Sequence, residues 1–209
     1  MSDYKLAIFD FDGTLANSFP WFCTVINQIA DKFAFRRVEE SEIEGMRDLT
    51  NRQIMAALGV PAWKLPGIAI SFRKLVAESA GSIPLFPGAA DMLERLHAGG
   101  LRIAIVSSNA EATIRKILGA HADLVEHYGC GSSMWGKAEK FKTALQALGL
   151  PASQAIAIGD EVRDIEAARQ AGIAAGSVTF GYNSAKVLVA QRPDHLFSNY
   201  SEVTAKLLA

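Results

Sequence analysis

The sequence has few cysteines and histidines, no excess of either charge, and no long apolar run. Cys23 and Cys130 lie far apart and the four histidines are scattered, so neither a disulfide framework nor a zinc site is predicted. Lysine plus arginine number 21 and aspartate plus glutamate 22, which leaves no broad positive charge for a nucleic-acid partner. The first apolar run is interrupted by Asp10, and no signal peptide or membrane span is visible. We therefore expect a cytoplasmic protein without a membrane partner.

Short apolar runs and helical segments alternate along most of the chain. Half of the 209 residues are hydrophobic, which is enough for one substantial core. Five runs are typical of strands buried on both faces: Leu6 to Phe11, Leu101 to Val106, Asp123 to Tyr128, Ala155 to Ile158 and Ile173 to Phe180. Segments with helical spacing lie between most of these runs and end at Gly99, Gly149 and Gly172. The alternation predicts an α/β fold with a doubly wound, Rossmann-like parallel sheet.

One interval, from Ser18 to about Pro84, contains several helical patterns and no strand-like run. Residues 22–33 and 68–79 each place apolar side chains on one stripe of a helix. We interpret residues 17–84 as a small α-helical cap inserted into a core that comprises residues 1–16 and 85–209.

Acidic and polar residues follow the predicted strands. Asp10 and Asp12 end the first run, and strict alternation would point both carboxylates to the same side. Ligands of open α/β sheets bind beyond the carboxyl ends of the strands. Later strand ends and helix starts supply further polar side chains: Ser107, Ser108, Asn109, Lys137, Asp160 and Asp164. These groups converge if the strands are neighbours.

The charges of this predicted site indicate a metal ion and a phosphoryl-transfer reaction. Asp10, Asp12, Asp160 and Asp164 give four negative charges against the one positive charge of Lys137. Such a cluster needs a cation, and oxygen ligands without histidine or cysteine suit Mg²⁺. One carboxylate can attack phosphorus to form an aspartyl-phosphate, while a second protonates the leaving oxygen and later activates water. Asp10 and Asp12 fit these two roles.

Four ordered motifs resemble those of the haloacid-dehalogenase-like superfamily. They are Asp10-Phe-Asp-Gly-Thr-Leu, a hydrophobic strand that ends in Ser107, a lysine before a helix, and Gly159-Asp160-x-x-x-Asp164. The helical insert and Leu85-Phe-Pro-Gly88 resemble the cap and its return in the phosphoglycolate-phosphatase-like branch. The resemblance implies a role for each matching residue: Asp10 as nucleophile, Asp12 as general acid/base, Ser107 and Lys137 as phosphate ligands, and Asp160, supported by Asp164 and the backbone carbonyl of Asp12, as metal ligands. We expect Ser108 to be a further phosphate ligand and the carboxylates of Asp10 and Asp12 to contribute to the metal site.

The sequence thus predicts a magnesium-dependent phosphatase that acts on a small organic phosphate monoester. A sugar phosphomutase would share Asp10 and Asp12, and a non-catalytic, receiver-like phosphate-binding protein would share the mixture of acids, hydroxyl and lysine. Arg47 and Arg52 of the insert are the best candidates for contacting the leaving group. The sequence carries no prediction of the oligomeric state.

Several assignments remain open at this point. Lys137 is not followed by the proline that is frequent in this motif, so Lys140 is a rival phosphate lysine. Glu161 is a further candidate for the metal shell. Ser108 with Glu111 fits a helix capping box as well as a phosphate site.

Overall fold

A computed structural model of the chain describes residues 4–131 and 136–209, so residues 1–3 and 132–135 of the predicted core lie outside it. In the described parts, six strands form one parallel sheet: β1 (Leu6–Phe9), β2 (Arg102–Val106), β3 (His127–Gly129), β4 (Ala155–Gly159), β5 (Ala174–Val178) and β6 (His195–Phe197). Their order across the sheet is β3-β2-β1-β4-β5-β6. The predicted α/β class and doubly wound parallel sheet are confirmed.

Helices fill the interval between β1 and the return to the sheet. They are α1 (Phe19–Phe33), α2 (Ile43–Met46), α3 (Asn51–Ala57) and α4 (Leu65–Ser79). The two helices predicted over 22–33 and 68–79 are confirmed, and residues 18–84 contain no strand. Their interior has its own small apolar cluster around Ile26, Val38 and Leu58.

Within residues 4–131 and 136–209, six more helices cover the two faces of the sheet: α5 (Ala89–Ala98), α6 (Glu111–Leu118), α7 (Lys137–Leu148), α8 (Val162–Ala171), α9 (Ala185–Ala190) and α10 (Tyr200–Leu208). Alternate residues of β1 face opposite sides, since side chains alternate along a strand. Ala7 and Phe9 pack in the cluster that holds α5, α6 and α10, whereas Leu6 and Ile8 pack in the cluster that holds α7, α8 and α9. Burial on both faces explains why the strands read as continuous apolar runs.

No single helix in the described parts is long and apolar enough to cross a membrane. Asn51–Ala57 and Ala62–Ser79 meet that test only as a pair, across a bend of 109°.

Two local features differ from the sequence prediction. The run predicted from Asp123 to Tyr128 is a strand only over His127–Gly129, because residues 119–124 form a 3₁₀ helix. The edge strand β6 was not predicted, since its three residues are too few to show a period of two.

The topology places several loops at one edge of the sheet. β1 is central, and Phe9 is in register with Ile105 of β2 and Ile158 of β4. The chain crosses from one side of β1 to the other between β3 and β4, which makes this edge the switch point where open α/β sheets bind ligands.

Candidate active site

Asp10 lies immediately beyond the end of β1 and is buried, with 5% of its surface exposed. Its Oδ1 atom accepts a hydrogen bond of 2.8 Å from the backbone N–H of Phe11. Its Oδ2 atom lies 2.8 Å from the Nζ atom of Lys137, which also contacts Asp164. Apart from this ion pair, Oδ2 accepts no hydrogen bond from the described residues. That buried oxygen therefore has hydrogen-bonding capacity that the described residues leave unused.

Lys137, not Lys140, is the lysine that reaches the carboxylates. Lys137 opens α7 and its ammonium group bridges Asp10 and Asp164. The Nζ atom of Lys140 instead donates to the backbone carbonyls of Gly129, at 3.1 Å, and Cys130. Three residues along α7 therefore separate a lysine in the site from one that supports the loop after β3.

Asp160 and Asp164 lie beyond the end of β4, the strand that pairs with β1, and complete a cluster with Asp10. One carboxylate oxygen from each of the three residues lies within 4.8 Å of the others, and all three side chains are buried. Thr14 donates a hydrogen bond of 2.6 Å to Asp160, and the backbone N–H of Tyr182 donates another of 2.7 Å. Asp164 accepts hydrogen bonds from the backbone N–H of Asp160 at 3.1 Å and of Glu161 at 3.0 Å. Asp164 thus stabilises the start of α8 as well as facing the site.

The electrostatics of this cluster favour a bound cation. Burial and the neighbouring carboxylate of Asp164 raise the pKa of Asp10, although Lys137 opposes the shift. Burial, together with the charges of Glu161, Asp10 and Asp164, raises the pKa of Asp160 well above its ordinary value. Against the effect of burial, Lys137 keeps the pKa of Asp164 low. Three buried hard oxygen donors with one ammonium group are a donor set that Mg²⁺ fits.

Asp12 occupies a different position from the three clustered acids. Its carboxylate accepts a hydrogen bond of 2.6 Å from the Nδ2 atom of Asn109 and lines a cavity beside the cluster. Burial, followed by the charge of Asp10, raises the pKa of Asp12 to about 7. A carboxyl group with such a pKa can exchange a proton near neutral pH. β1 ends at Phe9, so Asp10 and Asp12 are held by the following turn and not by strand alternation.

The turn after β2 holds the two predicted serines. Ser107 is buried, and its Oγ atom accepts a hydrogen bond of 3.1 Å from the backbone N–H of Asn109. Ser108 and Asn109 line the cavity with Asp12. Ser108 is not the cap of α6, because that helix begins at Glu111 after Ala110, so the capping-box alternative is wrong.

Glu161 and Arg163 form a charged pair at the cavity wall. The Nε atom of Arg163 donates to Glu161 at 2.6 Å, and both side chains line the cavity. The pair adds one charge of each sign to the cluster, so the excess of negative charge near the candidate metal site is unchanged. Sequence reasoning considered Glu161 only as a metal ligand and missed its partner.

Sequence reasoning also missed the loop between β5 and α9, which closes over Asp160. Residues 18–84 form the helical segment between β1 and the return to the sheet. Arg47 of this helical segment donates hydrogen bonds to the carbonyls of Gly181, at 3.1 Å, and Tyr182, at 3.2 Å. Asn183 donates to the carbonyls of Arg47, at 3.1 Å, and Leu49, at 3.0 Å. The helical segment is therefore fixed to the same loop that holds Asp160. Only tertiary contacts reveal this loop, since it carries no motif.

Arg47 and Arg52 differ in position. Arg47 lines the cavity while contacting the loop between β5 and α9, as well as Glu44 at 3.0 Å. Arg52 is exposed and is not among the residues that line the cavity.

Replacing Gly181 by alanine is expected to disturb Asp160. A Cβ atom at this position would lie 2.3 Å from the Cβ atom of Asp160 and 2.4 Å from the carbonyl oxygen of Gly13. Such overpacking costs about 1–3 kcal/mol, so urea unfolding should show a lower free energy of unfolding. A Cβ atom at Gly81 meets no atom within 4 Å, so Gly81→Ala is the matched control and should change stability by less than about 1 kcal/mol. Equal unfolding midpoints for the two variants would contradict the close packing around Asp160.

Comparisons with known proteins agree with this geometry. The family model for haloacid dehalogenase-like hydrolases matches residues 7–178. The phosphoglycolate phosphatase of Synechococcus elongatus is 31% identical over 198 residues, covering 94% of this chain and 93% of the relative. That of Vibrio parahaemolyticus is 26% identical over 217 residues, covering 96% and 95%.

Among solved structures, a haloacid dehalogenase-like family hydrolase from Streptococcus pneumoniae superposes with a TM-score of 0.80. It covers 98% of this chain and 99% of the other at 24% identity, a similarity that shows the fold. The extent of the family match and the identity to the Synechococcus protein show that the chain belongs to the haloacid dehalogenase-like hydrolase family, among relatives that are phosphatases.

Proposed function

We propose that the chain is a magnesium-dependent phosphatase that hydrolyses a small organic phosphate monoester through an aspartyl-phosphate on Asp10, with Asp12 as general acid/base. In this proposal, residues 1–16 and 85–209 form the catalytic core and residues 17–84 form a helical cap over it. The substrate is a phosphoglycolate-like ester or another small phosphorylated metabolite.

One observation supports the proposal: the buried carboxylate of Asp10, with one oxygen that accepts no hydrogen bond from the described residues, lies beside the Lys137 ammonium group and two further acids. A second carboxylate nearby, that of Asp12, has a pKa close to neutral pH. Lys137 lies 2.8 Å from Oδ2 of Asp10, and the ligand atoms of Asp160 and Asp164 lie within 4.8 Å of those of Asp10. The raised pKa of Asp12, about 7, supports its role in exchanging protons.

The reaction proceeds in two steps at these residues. A carboxylate oxygen of Asp10 attacks phosphorus, the bond from phosphorus to the ester oxygen breaks, and Asp12 donates a proton to the departing alcohol. A water molecule then attacks phosphorus, Asp12 takes its proton, and the bond from phosphorus to Asp10 breaks. Inorganic phosphate leaves, and Asp10 and Asp12 return to their initial protonation states.

Mg²⁺ would be held by Asp10, Asp160 and Asp164, with the backbone carbonyl of Asp12 as the ligand implied by the family resemblance. When bound, it neutralises charge on the phosphoryl oxygens. Lys137 supplies a further positive charge, and Ser107 and Ser108 at the turn after β2 contribute hydrogen-bond donors to the phosphate group.

A panel of phosphate esters assayed for inorganic phosphate tests the function. We expect release of phosphate with Mg²⁺ from at least one alkyl or aryl ester, over many turnovers for each enzyme molecule. Products should be analysed together with phosphate release. An isomerised sugar phosphate without free phosphate would replace the proposal by a phosphomutase, and a stable phosphoprotein without turnover would replace it by a non-catalytic phosphate-binding role.

A further inference from the structure

A cavity of about 330 Å³ begins at the candidate site and continues into the helical segment. Its polar end contains Asp12, Ser108 and Asn109. Its lining continues to Val38 and Leu58, which belong to the small apolar cluster enclosed by the helices of residues 18–84. A phosphate ester whose phosphate lies at Asp10 would therefore extend its alcohol portion into this space.

Most of the cavity lining is apolar. The rings of Phe22 and Phe72 stack with their centroids 5.3 Å apart, and Ile26 and Ile54, which also line the cavity, pack in the same apolar cluster. The atoms that line this cavity lack packing partners on its inner side, and an apolar ligand would supply those contacts. Apolar cavities exclude water and accept apolar ligands, and one of about 150 Å³ is large enough for benzene.

Two of the three arginines that line the cavity already contact polar groups of the protein. The guanidinium group of Arg47 contacts Glu44 and the carbonyls of Gly181 and Tyr182. Glu161 neutralises Arg163. Arg73 is the third arginine of the lining and is the group that a carboxylate on a phosphoglycolate-like substrate would have to reach.

We infer that the cavity binds the alcohol portion of the substrate and that this portion is apolar, an aliphatic or aromatic group of about six to ten carbon atoms. The inference rests on the proposed phosphatase function and specifies its substrate class. It differs from phosphoglycolate, whose alcohol portion has two carbons and a carboxylate and would leave most of the apolar wall uncovered.

A series of n-alkyl phosphates from methyl to octyl, together with phosphoglycolate, tests the inference on the wild-type protein with Mg²⁺. Each buried methylene should raise kcat/KM about fourfold, so hexyl phosphate, with five more methylenes, should exceed methyl phosphate by about 100- to 1,000-fold. A flat series would overturn the inference. So would a preference for phosphoglycolate over hexyl phosphate that disappears in Arg73→Gln.

A matched pair of variants on α4 locates the effect. Ala69 lines the cavity, whereas Ala77 lies on the same helix and is exposed. Ala69→Phe should lower the ratio of kcat/KM for hexyl over methyl phosphate by at least about tenfold, because the new ring occupies the cavity. Ala77→Phe should leave the ratio unchanged. Equal ratios in both variants would show that the alkyl chain binds elsewhere.

Binding without turnover separates this inference from the proposed function. If no ester is hydrolysed, the phosphatase proposal fails, and calorimetric titration with hexyl and methyl phosphate still reports on the cavity. Hexyl phosphate binding at least about tenfold more tightly than methyl phosphate, with the difference lost in Ala69→Phe, would support an apolar ligand. Equal affinities would overturn it.

Discussion

Asp10→Asn is expected to lower kcat by more than about 10⁴-fold on every ester that the wild-type protein hydrolyses, because the amide cannot act as the nucleophile. The substitution preserves the shape of a side chain that is 5% exposed, so the circular dichroism spectrum should not change. Asp31→Asn is a matched control, since that carboxylate is exposed and contacts only Arg37 among the described residues. Activity near the wild-type value in Asp10→Asn would refute the covalent route.

The contrast with Asp12→Asn distinguishes the two carboxylates. Asp12 contacts Asn109 and does not belong to the clustered acids, so its loss leaves Asp10 free to attack phosphorus. A phosphoprotein should therefore accumulate in Asp12→Asn when the leaving group is a good one, because water activation is lost. No phosphoprotein should form in Asp10→Asn. A phosphoprotein in both variants would place the acceptor on another residue.

Removal of the metal is expected to lower kcat by about 10³-fold or more, since neutralisation of the transferring phosphoryl group is worth several kcal/mol. Dialysis against a chelator should give this loss, and Mg²⁺ should restore the activity. A second measurement does not depend on turnover: Mg²⁺ should raise the unfolding temperature, because it binds the folded state and relieves repulsion among Asp10, Asp160 and Asp164.

Asp160→Asn should abolish this Mg²⁺-dependent rise in unfolding temperature. Asp91→Asn, which changes an exposed carboxylate on α5, should retain it. An equal rise in both variants would show that the ion binds away from the acidic cluster.

The sequence predicted most of the core because its signals are local. Strand runs such as 101–106 and helix stripes such as 68–79 follow from periodicity within a few residues, and the structure confirms them. Features at the edges of the sheet were harder to predict. Strand His195–Phe197 has only three residues, and a short 3₁₀ helix over 119–124 includes the start of the strand predicted from Asp123. In both cases the structure is stabilised by neighbouring elements more than by the local pattern.

The acidic residues of the candidate site were also visible in the sequence. Their positions after the predicted strands were sufficient to expect Asp10, Asp160 and Asp164 at one edge of the sheet, and the structure brings them within 4.8 Å. The sequence could not assign the hydrogen bond from Asn109 to Asp12 or the pairing of Glu161 with Arg163, because these depend on side-chain orientation in the folded chain.

By itself, the sequence determined the parallel sheet, the run of helices between its first two strands and a strongly acidic strand edge for which a cation is predicted, since these depend on residue order, periodicity and net charge. Only the tertiary structure decided that Lys137 and not Lys140 reaches Asp10, that the loop at Gly181 closes over Asp160, and that the helices leave an apolar cavity beside Asp12. The physical reason is that side-chain reach, close backbone approach and unfilled volume arise from packing between segments distant in the chain.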